Sequence, residues 1–320
     1  MGRIVVLGSL NTDLVTTVPH LPRPGETVLG GDLRTFPGGK GANQAVAAAR
    51  LGGQVSMVGR VGQDAFGAAL VEQLVNDGVD TRGVTRDPGL PTGIALILVD
   101  SAGQNQIAVA SGANRAVGLE EVSTVLGMLG PDDMLLVQLE VPAAAVRQAV
   151  LGTRAAVLLN AAPPLPVEAE LLKRLDVLVV NESEAEILFG QPVTGPEDAT
   201  EVTGLARRAG VDLAVVTVGA SGAVFNDGKS AELVAAFEVC AVDATAAGDA
   251  FVGALAVALV GGTPARAAVR LANAAGAAAT TRAGAQSSLP SPSDLKRLFG
   301  IDWPAVQPAA ARQQRKEERV

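Results

Sequence analysis

The sequence predicts an α/β fold built on a mainly parallel sheet with helices on both faces. Two observations predict it: short runs rich in Val, Ile and Leu stay apolar at consecutive positions, and longer amphipathic stretches separate them along most of the 320 residues. Strands apolar on both faces need cover on both sides, and a helix between successive strands supplies the crossover that parallel pairing requires. A third observation adds a second layer. Four segments alternate polar and apolar residues, the pattern of a sheet with one wet face.

Residues 4–7 read as the first strand and 41–51, dense in Ala, as a helix. A strand at 55–58 and a helix at 64–76 follow, with Phe66, Leu70 and Leu74 at helical spacing. The rhythm resumes with strand 134–139, helix 142–151, strand 156–159, helix 168–174 and strand 177–180. Helices at 182–189 and 197–209 and a strand at 213–218 continue it. The alternating segments are 14–18, 28–35, 94–99 and 106–110, expected as a small separate antiparallel layer. Runs at 223–225 and 230–234 flank Asn226-Asp227-Gly228-Lys229, a hairpin with Asp-Gly at its turn. An apolar helix runs to Val260, and beyond Asp302 the prolines and the charged run 312–319 read as a flexible tail.

Composition narrows the chemistry. With 33 acidic and 25 basic residues the formal net charge is −8, a surface that repels a phosphate backbone, so nucleic-acid binding is not expected. A single Cys and a single His exclude an intramolecular disulfide and a zinc cluster, and any His-based triad must use His20. The first residues carry neither a charged leader nor a long apolar stretch, so neither a signal peptide nor a membrane span is expected, and a soluble cytoplasmic protein is. His20, in a Pro-rich turn, reads as a surface or packing residue, Cys240 as a small core residue and Trp303 as a buried anchor for the tail.

In an open α/β sheet the ligand crevice lies beyond the carboxyl ends of the strands. Several such places carry suggestive residues. Asp243-Ala244-Thr245-Ala246-Ala247-Gly248-Asp249 opens the last apolar helix. Small residues there let first-turn N–H groups crowd an anion, and Asp249 is either a base for an attacking hydroxyl or an acid complementing the helix dipole. Pro37-Gly38-Gly39-Lys40-Gly41-Ala42-Asn43-Gln44 enters a helix but is not a Walker A loop, because Lys40 is followed by Gly. It is either a backbone approach to a ligand, with Asn43 as donor and acceptor, or a tight turn. Asn11 and Asp13, just after the first strand, add a second amide–carboxylate pair of the kind hydroxyl-rich ligands need. Gln138-Leu139-Glu140 ends a buried strand, where Glu140 is a ligand or a merely exposed terminal acid. Asn181-Glu182-Ser183-Glu184 follows a strand end and, with Asn at a helix start and Glu three residues later, reads first as a capping box. Thr217-Val218-Gly219-Ala220-Ser221-Gly222 either cradles phosphate or turns the chain.

Taken together these segments resemble the ribokinase branch of the PfkB carbohydrate kinase family, from Val5 to about Pro290. Pro24-Gly25-Glu26-Thr27, Asn160-Ala161-Ala162-Pro163 and Gly284-Ala285-Gln286-Ser287-Ser288 also recur in the family's order. The resemblance implies a ribokinase-like three-layer fold, with a kinase domain over 1–301, lid strands within about 12–36 and 92–112, and a flexible tail over 302–320. It implies ATP-dependent phosphorylation of D-ribose at its 5-hydroxyl. Asn11, Asp13, Gly39, Lys40, Asn43 and Glu140 would hold the sugar, Asp249 would be the base, and Ala246, Ala247 and Gly248 would form the anion hole.

By the same resemblance Asn181 and Glu184 would organise phosphates and the water shell of Mg²⁺. Thr217, Gly219, Ser221, Gly222 and Asn273, with Gly248, would line the ATP site. Asp243, Thr245, Ala279, Arg282, Gly284 and Ser288 would supply oxygens, mostly backbone carbonyls, to a monovalent cation, K⁺. The lid would also join two copies as a homodimer. One departure from the family is Ala244, where Thr is common, which removes a hydroxyl beside the cation loop. An aromatic content of 2%, with no Tyr, argues against a purine acceptor stacked on rings. Another sugar kinase, for fructose or deoxyribose, and a non-catalytic sugar sensor are the alternatives.

Overall fold

The apolar runs pair as their composition requires. The structure, a computed structural model, describes residues 2–304; the expected tail beyond Pro304 lies outside the described residues. In chain order the first half holds β1 (Ile4–Leu7), β2 (Asn11–Thr17), β3 (Arg34–Gly38), α1 (Lys40–Arg50), β4 (Val55–Gly62), α2 (Ala65–Asn76), β5 (Asp80–Asp87), β6 (Gly93–Val99), β7 (Asn105–Ala110), α3 (Leu119–Met128) and β8 (Met134–Val137). The second half holds α4 (Ala143–Gly152), β9 (Ala156–Asn160), α5 (Ala169–Leu172), β10 (Val177–Val180), α6 (Glu182–Phe189) and α7 (Pro196–Arg208). It continues with β11 (Leu213–Thr217), β12 (Gly222–Asn226), β13 (Ala231–Ala235), α8 (Ala247–Val260), α9 (Ala265–Ala279) and α10 (Pro292–Phe299).

Nine strands form the main sheet in the order β13-β12-β11-β10-β9-β8-β1-β4-β5. Pairing is parallel from β11 through β5, and the β12–β13 hairpin extends the sheet antiparallel. The side chains of β1 alternate between two cores. Ile4 and Val6 pack in the one that holds α1, α8 and α9, whereas Val5 and Leu7 pack in the one that holds α3, α4 and α7. Helix α8 is buried almost throughout because it lies against both α1 and α9. Its lack of a polar stripe is therefore a requirement of its place.

The small sheet corrects the expectation of an antiparallel layer. Its order is β3-β2-β6-β7; the outer pairs are antiparallel, but β2 and β6 run parallel from Asn11↔Gly93 to Thr17↔Val99. Both inner strands leave the same edge of the main sheet, so they enter the layer in one direction. The alternating stretch at 28–35 yields strand only from Arg34, with β3 running on to Gly38. Edge strand β5 and helices α3, α9 and α10 were not read from the sequence. β5 is largely polar and so offers no apolar run to read, whereas α10 carries a Ser291–Asp294 capping box with Pro at its start.

Cys240 is exposed, not a core residue, because the segment after β13 runs along the surface. Phe66 is also partly exposed, while Leu70 and Leu74 are buried. Trp303 packs partly buried against the α8–α9 core. His20 is a surface residue whose Nε2 lies 2.9 Å from Glu26 Oε1.

Candidate active site

The loops after β1, β8, β9, β10 and β11 emerge at one edge of the sheet, where α1 and α8 begin. Asp249, in the first turn of α8, is 7% exposed, and both its oxygens are occupied. Asn43 Nδ2 donates to Oδ2 at 2.9 Å and Gln44 Nε2 to Oδ1 at 2.9 Å. Close backbone approach makes this possible. A Cβ on Gly41 would lie 2.6 Å from the backbone nitrogen of Ser9, and Gly39 has φ +88°, so glycine lets α1 start against the loop after β1.

Around this grip the remaining polar residues converge. Glu140 Oε2 accepts from Ser9 Oγ at 2.5 Å and from the Lys40 N–H at 3.1 Å. Asn114 Nδ2 donates to Asn11 Oδ1 at 2.8 Å, fixing Asn11 at the start of β2. Asp13 is buried one turn of the pleat further on. Burial, reinforced by the charges of Glu140 and Asp249, raises the Asp13 carboxyl to about 7. Burial also raises Asp249, opposed by the Lys40 ammonium and by the amides of Asn43 and Gln44. Burial would discharge Lys40, but Asp249, Glu140 and Glu184 outweigh it and raise the ammonium's pKa, so a fixed positive charge stands among the carboxylates.

Two cavities meet where α8 begins. The smaller, about 220 Å³, is lined by Lys40, Asn160, Glu184, Ala246 and Asp249; the larger, about 760 Å³, by Gly219, Gly222, Phe237, Val239 and Asn273. Both share Asn181, Thr217, Ala244, Gly248 and Phe251. One polar chamber therefore opens beside one mainly apolar chamber across a helix N-terminus, whose dipole favours negative charge. Ala246 holds φ +60°, the only non-glycine residue with positive φ among those described. The Ala247 N–H donates to Ala244 O at 3.2 Å, closing a tight turn before the helix. Ser221 is exposed on the short turn at 219–221 and lines neither cavity.

Asn181 and Glu184 do form a reciprocal capping box, and both also line the smaller cavity. The two readings of that segment are thus compatible. Burial raises the Glu184 carboxyl, countered by the Asn181 N–H and by Lys40. Asn273 Nδ2 donates to Val234 O at 2.8 Å, tying α9 to β13 at the rim of the larger cavity.

The third group assembles next to this junction. Asp243 Oδ1 accepts from Thr245 N and Oγ at 2.9 and 2.6 Å, and Oδ2 from Gly284 N at 2.8 Å, which pulls its carboxyl below the usual range despite burial. Its side chain is thus a bracket between two backbone segments. Ala279 is buried at the end of α9, Ser288 Oγ donates to Ala285 O, and the exposed Arg282 side chain turns away to Asp294 at 3.1 Å.

Sequence reasoning missed Gln44, Gln138 and Asn160 as site residues. Gln138 Nε2 donates to Gln44 Oε1 at 2.6 Å, and Gln44 Nε2 donates to Asn160 Oδ1 at 2.9 Å. Each lies inside a segment already singled out, but Gln and Asn are usually exposed, and composition does not reveal a buried amide chain. Asn114, in a turn after β7, had no signal at all.

A family model of pfkB carbohydrate kinases matches residues 1–292. A ribokinase of Haemophilus influenzae is 37% identical over 90% of this chain and 95% of that protein. A ribokinase of Schizosaccharomyces pombe is 39% identical over 94% of this chain and 99% of that protein. Among solved structures, an Arabidopsis thaliana ribokinase complexed with ribose and ATP superposes with a TM-score of 0.85 at 30% identity, covering 94% of this chain and all of that one. Carboxylate grip, cavity pair and whole-length similarity agree, and the chain belongs to the pfkB family of carbohydrate kinases.

Proposed function

We propose that this protein transfers the γ-phosphoryl group of ATP to the 5-hydroxyl of D-ribose, giving D-ribose 5-phosphate and ADP. The observation that carries the reading is the double use of Asn43. Its Nδ2 grips Asp249, while its buried Oδ1 has no partner among the described residues and so offers an acceptor to a polyhydroxyl ligand. The similar ribokinases support ribose as acceptor, and the Arabidopsis complex supports ATP as donor.

In this reading Asn11, Asp13, Gly39, Lys40, Asn43 and Glu140 hold the sugar hydroxyls. Asp249 takes the proton of the 5-hydroxyl as its oxygen attacks the γ-phosphorus. The new O–P bond forms, the bond to the β–γ bridging oxygen breaks, and ADP leaves with that electron pair. The amides at 246–248 and the dipole of α8 stabilise charge on the transferring group, with the Lys40 ammonium beside them. The larger cavity, within the usual range of a ligand site, takes the nucleoside between Gly219, Gly222 and Asn273, with Thr217, shared with the smaller cavity, at the phosphate end.

Two ions fit the residues present. Glu184, a buried carboxylate on the smaller cavity, and Asn181 suit the water shell of Mg²⁺, which when bound neutralises phosphate charge. The bracket made by Asp243 gathers the backbone of Thr245 and Gly284, and with Ala279, Arg282 and Ser288 these segments suit K⁺ held by carbonyl oxygens. Residues 1–301 act as one kinase domain, with the small sheet as lid over the sugar. Strand register supports a homodimer through that lid. Asp13, Ala95 and Val109 lie opposite one another, so the half-exposed Val109 and Ile107 share the face of Asp13 and need a cover. Among the described residues no helix is long and apolar enough to cross a membrane, and the donor ATP suits a cytoplasmic location.

The test is ADP release with Mg²⁺, ATP and a sugar panel in K⁺ and in Na⁺. D-ribose is expected to exceed 2-deoxy-D-ribose and fructose, and K⁺ to exceed Na⁺. Asp249→Ala is expected to lower kcat by at least about 10²–10⁴-fold while ribose still binds by calorimetry. A rate with ribose no higher than without sugar would refute the reading.

A further inference from the structure

We propose that Gln44 is a positioning residue for Asp249, its amide oriented by Gln138 and Asn160 so that it can only donate to the base. The inference rests on the reading of Asp249 as base. It goes further by giving a task to a buried amide chain to which that reading assigns none.

Hydrogen-bond polarity carries the argument. Gln44 and Gln138 are completely buried, and Asn160 nearly so. Asn160 Nδ2 donates to Val179 O at 3.2 Å, which leaves Asn160 Oδ1 to accept. Gln138 Nε2 donates to Gln44 Oε1, so the Gln44 oxygen is held away from Asp249 and its nitrogen spans Asn160 Oδ1 and Asp249 Oδ1, each at 2.9 Å. Turning the Gln44 amide over would set oxygen against oxygen at two contacts, Asn160 and Asp249, and nitrogen against nitrogen at the third, orphaning the Gln138 donor. In a buried site that costs more than any one bond is worth. Gln138 is part of the device at some cost, since its own Oε1 is buried without a partner among the described residues.

The consequence concerns the carboxylate. Asn43 and Gln44, neighbours on α1, hold opposite oxygens of Asp249, which fixes the carboxyl plane and keeps one acceptor direction on each oxygen. The other charged groups around Asp249 are Lys40, Glu140, Asp13 and Glu184. Of these only Lys40 favours the ionised base, so the two amides are its main hydrogen-bond support.

The experiment compares kcat, sugar KM and the pH profile of kcat in Gln44→Met, Gln138→Met and the double variant. Gln44→Met keeps the volume and removes the donor. It is expected to lower kcat about 10–100-fold, the scale of a misplaced reacting group, with sugar KM within about twofold. Its acidic limb should move to higher pH, because ionised Asp249 loses a donor. Gln138→Met removes the donor that fixes the Gln44 oxygen, leaving only Asn160 and Asp249 to orient the amide, so a smaller effect in the same direction is expected. The double variant should fall no further than Gln44→Met alone.

Unchanged kcat with an unmoved limb in Gln44→Met, or losses that multiply in the double variant, would overturn the proposal. If Gln44→Met does not fold, an unmoved limb in Gln138→Met overturns it by itself. Asp249→Ala separates the two readings. Retained turnover there removes the base, whereas an inactive Asp249→Ala beside a normal Gln44→Met removes only the positioning role.

Discussion

Asp13 sits on β2 with burial, Glu140 and Asp249 holding its proton to about 7, against 3.8 for a free carboxyl. Between those values the folded protein binds more protons here than the unfolded chain, so this group's contribution to stability falls as pH rises from about 4 to about 7. Asp13→Asn removes the ionisable group. Relative to the parent protein, its melting temperature should therefore be more favourable at pH 8 than at pH 4, and an equal difference at both pH values would contradict the assignment. At this scale the sequence was legible where a residue type is chemically unusual in its place, as with Asn43, Asp249 and the paired Asn11 and Asp13. It was not legible for Gln44, Gln138 and Asn160, whose meaning depends on a burial and a bond polarity that only the assembled fold creates.

Helix α8 begins on a residue that does not suit its backbone. A left-handed conformation costs a Cβ-bearing residue about 1–2 kcal/mol, and Ala246 stands at φ +60° where glycine would be free of that cost. Glycine's extra chain entropy offsets about 0.5–1 kcal/mol of the gain, so Ala246→Gly is expected to stabilise the protein by about 0.5–1 kcal/mol in urea unfolding. A loss of stability would mean that the alanine methyl packs usefully. Elements with a clear local signal were readable, including β10 from its unbroken apolar run and α6 from its Asn181–Glu184 capping box, both with their bounds unchanged. The parallel join of β2 to β6 was not, because alternation specifies which face is wet but says nothing about strand direction. Direction came from the main sheet, whose common edge launches both strands.

Across the whole molecule, the face of the small sheet that carries Asp13 also carries half-exposed Ile107 and Val109. Ile107→Asp with Val109→Asp is expected to convert a dimer into a monomer in sedimentation velocity and to raise sugar KM, while α-helical content stays constant. A parent protein that sediments as a monomer at micromolar concentration would refute the dimer. The Asn43–Asp249 bond closes a separation of 206 residues. Chains are made and fold from the amino end. A growing chain thus completes the helix that carries Asn43 and Gln44, and both pairs of small-sheet strands, long before the carboxylate they grip exists. With Asp249 as the proposed base, a partial protein lacking α8 would have nothing to deprotonate an acceptor, so competence for phosphoryl transfer would arrive only with the last third of synthesis.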